Sequence, residues 1–143
     1  MFRVSKLTDY ATLLMTYLAL EPSRITNARD ITLHTHVKLP TVSKLLKVLA
    51  KKGLLISHRG SKGGYSLVRS PEKIRLTEII DALEGELGLT ECSHGDCNLA
   101  NKCLVKHKWR TISSTIRGIL EKVTLADMAH PLPQLVVKNS SPE

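Results

Sequence analysis

The sequence predicts a mainly α fold: a winged helix-turn-helix with a small β-hairpin wing, followed by a long C-terminal helix of the kind that pairs with another helix. Three observations carry this. Apolar residues recur at helical spacing through the first fifty residues. After Gly53 that period breaks into two short strand-like runs around a glycine-rich tip. Further on, an apolar series alternates steps of four and three.

Leu7, Tyr10, Ala11, Leu14 and Leu18 follow the i, i+3, i+4, i+7 spacing of one helical face, and Pro22 with Ser23-Arg24 ends that first helix. A short second helix is expected from Ala28 to about Thr35, with Ala28 and Ile31 inward. Pro40 stands where the first turn of a helix tolerates proline, because the missing N–H would have no partner there. Val42, Leu45, Leu46 and Leu49 give the third helix an apolar stripe, closed by Gly53 just past its cap. Leu54 to Arg59 and Tyr65 to Val68 read as strands, joined by a flexible tip from Gly60 to Gly64. Ser70-Pro71-Glu72 marks the exit, and a fourth helix is expected from about Thr77 to Glu84.

Gly85 to Lys102 has little periodicity and reads as a loop shaped by something other than a core. Val105, Trp109, Ile112, Ile116, Ile119 and Val123 then form the seam of a long helix starting near Cys103. Thr124 with Asp127 resembles a capping box opening a last short helix. Pro131, Pro133 and the terminal Ser140-Ser141-Pro142-Glu143 read as a loose tail. The expected division is a winged helix-turn-helix over residues 1–70, a cysteine loop and dimerisation helix over 71–130, and a tail over 131–143.

Aromatic residues make up 3% of the chain, so the core must be aliphatic. The formal net charge is +8, and its distribution says more than its total: residues 1–70 hold 12 lysines and arginines against 3 acids, while the remainder hold 9 against 10. A basic head on a near-neutral module points to a polyanionic partner. The opening Met1-Phe2-Arg3-Val4-Ser5-Lys6 lacks an apolar signal core, and the run Ala11 to Leu20 is too short to span a bilayer, so a cytoplasmic protein is expected. The cysteines number 3, an odd count, and a reducing compartment disfavours a disulfide; metal or redox chemistry is the expected use.

In a helix-turn-helix the second helix of the motif enters the major groove of double-stranded DNA and its N-terminal side chains reach base edges. Here Lys38, Thr41, Ser43 and Lys44 are the polar residues placed to do so, with Lys47 and Lys51 continuing that side toward phosphates. Arg59, flanked by the glycines of the tip, suits insertion into a narrow minor groove, and Lys62 suits the backbone. Gly60, Gly63 and Gly64 do not form a nucleotide-binding loop, because no Gly-Lys-Ser/Thr opening a helix follows them. A seam that pairs two copies would place two reading heads on a two-fold axis, matched to a palindromic operator. No nucleophile or acid–base pair has recognisable spacing, so an enzyme is not expected.

The cysteine segment reads Cys92-Ser-His-Gly-Asp-Cys97-Asn-Leu-Ala-Asn-Lys-Cys103-Leu-Val-Lys-His107. Three thiolates this close can converge on one metal centre. Spacing alone leaves zinc, held by three cysteines and a histidine, beside an iron–sulfur cluster. A zinc-stabilised nucleic-acid-binding module, with a preference for single-stranded RNA, is the alternative from another class.

Taken together, Leu7-Thr8-Asp9-Tyr10-Ala11, Gly53-Leu54, the run Arg59-Gly60-Ser61-Lys62-Gly63-Gly64-Tyr65-Ser66-Leu67, and the cysteine trio followed by Lys108-Trp109-Arg110 resemble the bacterial winged-helix iron–sulfur regulators, the family of IscR and NsrR. The opening Val4 to Tyr10 is most similar to the subgroup regulating SUF-type iron–sulfur assembly. The resemblance implies a homodimeric repressor of iron–sulfur assembly genes that carries a cluster on each cysteine loop, a [2Fe–2S] form ahead of [4Fe–4S], and so favours iron–sulfur over the zinc that spacing leaves as the alternative metal. Nitric oxide sensing is the alternative signal. It also implies a fourth ligand, and here the chain departs from the pattern. The expected histidine position, three after the last cysteine, is Lys106, and His107 comes one later, about 100° further round a helix. His107 is the first candidate and Asp9, given by a partner subunit, the alternative, with His94 third.

Overall fold

The computed structural model describes residues 3–93, 95, 97–99 and 101–130. In order, the chain forms α1 (Lys6–Leu20), α2 (Ala28–Thr35), α3 (Leu39–Lys51), β1 (Leu55–His58), β2 (Gly64–Leu67), a 3₁₀ turn at Pro71–Lys73, α4 (Leu76–Glu84), a second 3₁₀ turn at Glu91–Ser93, α5 (Lys106–Leu120) and α6 (Leu125–Ala129). The expected mainly α winged helix-turn-helix with a long following helix is what forms. The tail at 131–143 and His94 lie outside the described residues.

Ser5 starts α1: its side chain accepts a hydrogen bond from the Thr8 amide, 3.2 Å, satisfying one of the orphan donors of a helix start. Its hydroxyl also donates to the Thr8 hydroxyl, 3.1 Å, which lets Thr8 turn inward without losing its polar partner. The buried face is therefore Thr8, Ala11, Leu14, Met15, Leu18 and Ala19. The stripe read from the sequence began at Leu7 and included Tyr10; Leu7 is exposed and Tyr10 only half-buried. Hydrophobicity alone put the wrong residue of the Leu7–Thr8 pair inside, because the cap, not the side chain's polarity, decides how Thr8 is satisfied.

Asn27 caps α2 by accepting from the Asp30 amide, 2.8 Å. His36 ends α2 in the left-handed region, φ 60°, and makes the sharp turn into α3. Ile31 is fully buried, while Ala28 is partly so. In α3, Val42, Leu45, Leu46 and Leu49 face the core as expected. Gly53, φ 78°, follows the Lys52 cap, the left-handed position that glycine fills at least cost.

The hairpin is antiparallel, with Leu55 opposite Leu67, Ile56 opposite Ser66, Ser57 opposite Tyr65 and His58 opposite Gly64. Leu55 and Leu67 are buried against the helices, and the alternate residues Ile56 and His58 lie on the outer face. A two-residue bridge, Thr26 with Tyr65, adds the segment before α2 as a third member beside β2. One aliphatic core joins all of this, including Leu14, Ile31, Leu45, Leu46, Leu49 and Leu54, with Ile74, Ile79 and Leu125 from beyond residue 70. α6 lies against α1, and its start is the expected capping box: Asp127 N–H donates to Thr124, 3.2 Å, and Thr124 N–H donates to Asp127, 2.8 Å.

α5 begins at Lys106, so Cys103 precedes the helix, Val105 is its cap and Val123 lies beyond its end. Its inward side is narrow. Ser113 is its one buried residue, while the seam residues Trp109, Ile112 and Ile119 are 41%, 44% and 53% exposed.

Candidate functional site

The reading helix α3 has no acid in its first turn and carries Lys38 at its cap, then Lys44, Lys47 and Lys51, all exposed. Lys44, Lys47 and Lys51 lie on the side away from the Val42–Leu49 stripe, a row of cations opposite the face that anchors the helix. Thr41 and Ser43 are half-buried at the start of the same helix. The fold thus places Lys38, Thr41, Ser43 and Lys44 on one helix end, the end that enters the major groove in this motif.

Arg59 and Lys62 are both exposed at the hairpin tip, outside the paired residues. Gly63 N–H donates to the Gly60 carbonyl, 3.0 Å, closing the turn between them. A Cβ on Gly63 would lie 2.5 Å from the His58 carbonyl oxygen, so the tip needs glycine there. One polar contact of the wing has no signature in the sequence: His58 Nε2 and Ser66 Oγ, 2.8 Å apart across the outer face, immediately before Arg59. Only the strand register brings these two side chains together.

The cysteines sit in the segment between α4 and α5. All three are free thiols, Cys92 buried and Cys97 and Cys103 half-buried. Cys92 Sγ lies 3.0 Å from Thr90 Oγ1. Among the described residues no three His, Cys, Asp or Glu side chains converge closely enough to hold a metal ion. Cys92 is also the one buried residue among those described between 85 and 105. As a donor set, three thiols in one loop suit a soft centre, zinc or an iron–sulfur cluster, rather than a hard oxygen-seeking cation.

His107 is exposed at the second position of α5, four residues after Cys103. Asp9 is exposed in the first turn of α1 and lines a groove of about 430 Å³ with Arg3, Thr12, Leu76 and Leu120, a groove to which no cysteine contributes. Among the described residues neither of them joins the cysteines in a group of three or more donors that could hold a metal ion. A second groove, about 570 Å³, runs beside the seam and is lined by Arg3, Leu87, Leu89, Trp109, Ile112 and Ile116. Among the described residues no helix is long and apolar enough to cross a membrane.

A helix-turn-helix with a lysine-lined reading helix and a basic wing defines a DNA-binding transcriptional regulator. The chain belongs to the Rrf2 family: the model of that family, described as an iron-dependent transcriptional regulator, matches residues 4–131. A protein of Aquifex aeolicus named as an HTH-type transcriptional regulator is 32% identical over 124 residues, 83% of this chain and 85% of its own length. The HTH-type transcriptional regulator IscR of Escherichia coli is 32% identical over 102 residues, 71% of this chain and 63% of IscR, so the match spans less than two thirds of that relative. Among solved structures, CymR, the global cysteine regulator of B. subtilis, superposes with a TM-score of 0.74 at 28% identity, covering 90% of this chain and 97% of CymR. IscR of T. potens gives a TM-score of 0.70 at 30% identity, covering 89% and 85%. These relatives are named as regulators and not as enzymes, in line with the expectation from the sequence.

Proposed function

We propose that this regulator binds a palindromic operator in double-stranded DNA as a homodimer, senses iron–sulfur status through a cluster held by Cys92, Cys97 and Cys103, and represses iron–sulfur assembly genes. The observation that carries the reading is the junction of three free thiols with α5: Cys103 lies three residues before a helix whose apolar residues Trp109, Ile112 and Ile119 are exposed. When bound, an iron–sulfur cluster supplies a redox-labile centre held by thiolates. The chain's part is mechanical. Cys92, Cys97 and Cys103 draw the loop together, Cys103 passes that restraint into α5, and the seam of α5 sets how two reading heads are spaced. His107 supplies the fourth ligand from the same chain, with Asp9 of a second copy as the alternative.

The test is anaerobic purification followed by optical and electron paramagnetic resonance spectra with iron and sulfide counts. The expected result is a coloured dimer with iron and sulfide in equal number, a [2Fe–2S] signature, and operator affinity that changes on loading. Cys92→Ser, Cys97→Ser and Cys103→Ser should each remove the visible absorption and leave a folded dimer. A colourless protein with stoichiometric zinc and no sulfide refutes the reading. Loss of operator binding on nitric oxide treatment, with indifference to iron supply, would replace the signal but keep the cluster.

A further inference from the structure

Among the described residues, the helix that follows the cysteine loop is tied by hydrogen bonds to α4 at and beyond its C-terminal end. Past its C-terminal end the backbone is tied to the start of α4: Leu76 N–H donates to the Val123 carbonyl, 2.9 Å, Leu125 N–H donates to the Ile74 carbonyl, 2.8 Å, and Arg75 Nη1 donates to the Glu121 carbonyl, 2.7 Å. The opposite end, Lys106 to Ile112, holds no buried residue. Between the two lies Arg117. Its guanidinium donates to both carboxylate oxygens of Asp81 on α4, at 3.1 and 2.7 Å, and through Nε to Glu121, 3.0 Å. Among the described residues no other ion pair joins α5 to the rest of the chain. Further toward the loop, Ser113 is 7% exposed, and its Oγ has no hydrogen-bond partner among the described residues, so no polar contact locks the helix there.

We infer that Arg117 is a positioning residue: its two-pronged pair with Asp81 is the joint that sets the angle of the cysteine-bearing arm of α5 against α4, and so couples the loop to the reading helix. The inference rests on the cluster-sensing reading above and assigns the side chains that transmit it. Geometry argues for the joint. Measured from the tied end at Glu121, Lys106 stands roughly 22 Å out along the helix and Arg117 roughly 6 Å, so a displacement at the loop reaches Arg117 reduced about fourfold. A planar fork on a carboxylate tolerates little rotation, which makes it a two-position contact, made or broken, rather than a compliant one. α4 in turn lies against α3, with Ile79 in the core that holds the reading helix, so the path from Arg117 to the DNA face is one of direct contacts. The pair also joins residues 36 apart in sequence, which only the fold brings together.

The experiment uses the full-length protein under anaerobic conditions, loaded and unloaded with cluster, and measures operator Kd at fixed salt for the parent, Asp81→Asn, Arg117→Lys and the exchanged pair Asp81→Arg/Arg117→Asp. The parent is expected to change affinity at least about tenfold on loading. Asp81→Asn should bring that ratio below about threefold with cluster absorbance, helical content and dimer mass unchanged, Arg117→Lys should fall between, and the exchanged pair should restore part of the ratio. A second readout does not involve the cluster: Trp109, the single tryptophan, lies on the free arm. In unloaded Asp81→Asn its quenching by acrylamide should rise about twofold. A parent ratio that persists in Asp81→Asn, or an unchanged Trp109, overturns the joint. A parent whose affinity ignores loading removes the sensing reading instead, and Trp109 then decides the joint alone.

Discussion

Thr26 and Tyr65 exchange both backbone hydrogen bonds, 3.0 Å from the Thr26 amide and 2.8 Å from the Tyr65 amide, so the wing is bonded directly to the segment entering α2. The contact is close because Gly64 stands beside it: a Cβ there would lie 2.5 Å from the Thr26 carbonyl oxygen and 2.9 Å from the Asn27 amide nitrogen. Those neighbours are backbone and cannot swing aside. Gly64→Ala is expected to destabilise the fold by about 1–3 kcal/mol, in the range of overpacked sites. Chemical denaturation measures it, and equal midpoints for variant and parent would refute the tight bridge.

The proposed roles of Arg59 and Lys62 are two different kinds of DNA contact. Arg59→Ala should weaken operator binding by about 1–3 kcal/mol while leaving fold and dimerisation intact, as for a side chain that reads a groove. Lys62→Ala should weaken binding to all sequences alike and lower the slope of log affinity against log salt by about 1, as for a phosphate contact. Titrations against operator and random duplex at three salt concentrations distinguish them. An Arg59→Ala protein with parental affinity at moderate salt has no inserted wing.

Leu7 and Leu14 belong to the same helical stripe by spacing, yet only Leu14 is fully buried. Leu14→Ala should cost about 2–5 kcal/mol, the transfer and cavity terms of a core leucine. Leu7→Ala should stay within about 0.5 kcal/mol in the monomer fold, as a surface change does. Equal losses at the two positions would return the face to the one the sequence pattern predicts.

Glu84 ties the end of α4 to the start of α1. The Thr8 hydroxyl, and then the Ser5 amide at 2.9 Å, hold its carboxyl below the ordinary glutamate range. A lowered folded-state value means that the carboxylate stabilises the fold at neutral pH and that this contribution fades as pH falls below about 4.3 and through the lowered value. Glu84→Gln should therefore be less stable than the parent at pH 7, with the difference shrinking toward pH 3. A gap that stays constant with pH would mean that the carboxylate's charge plays no part.

By itself the sequence determined the helices of the reading head, the hairpin, the capping box at Thr124 and the positions of Lys38, Thr41, Ser43, Lys44, Arg59 and Lys62, because each is a local property: a period, a cap, a turn that needs glycine. It also determined that three cysteine thiols share one loop. Only the tertiary structure decided which side of α1 faces inward, since Thr8 is buried through a cap rather than through its own hydrophobicity. Tertiary structure alone paired His58 with Ser66 and Thr26 with Tyr65, and it left Trp109, Ile112 and Ile119 of the α5 seam exposed. Arg117 shows the reason most plainly: nothing near it in sequence marks it out, and Asp81 becomes its partner through the way α5 crosses α4, a relation between distant segments that no periodicity encodes.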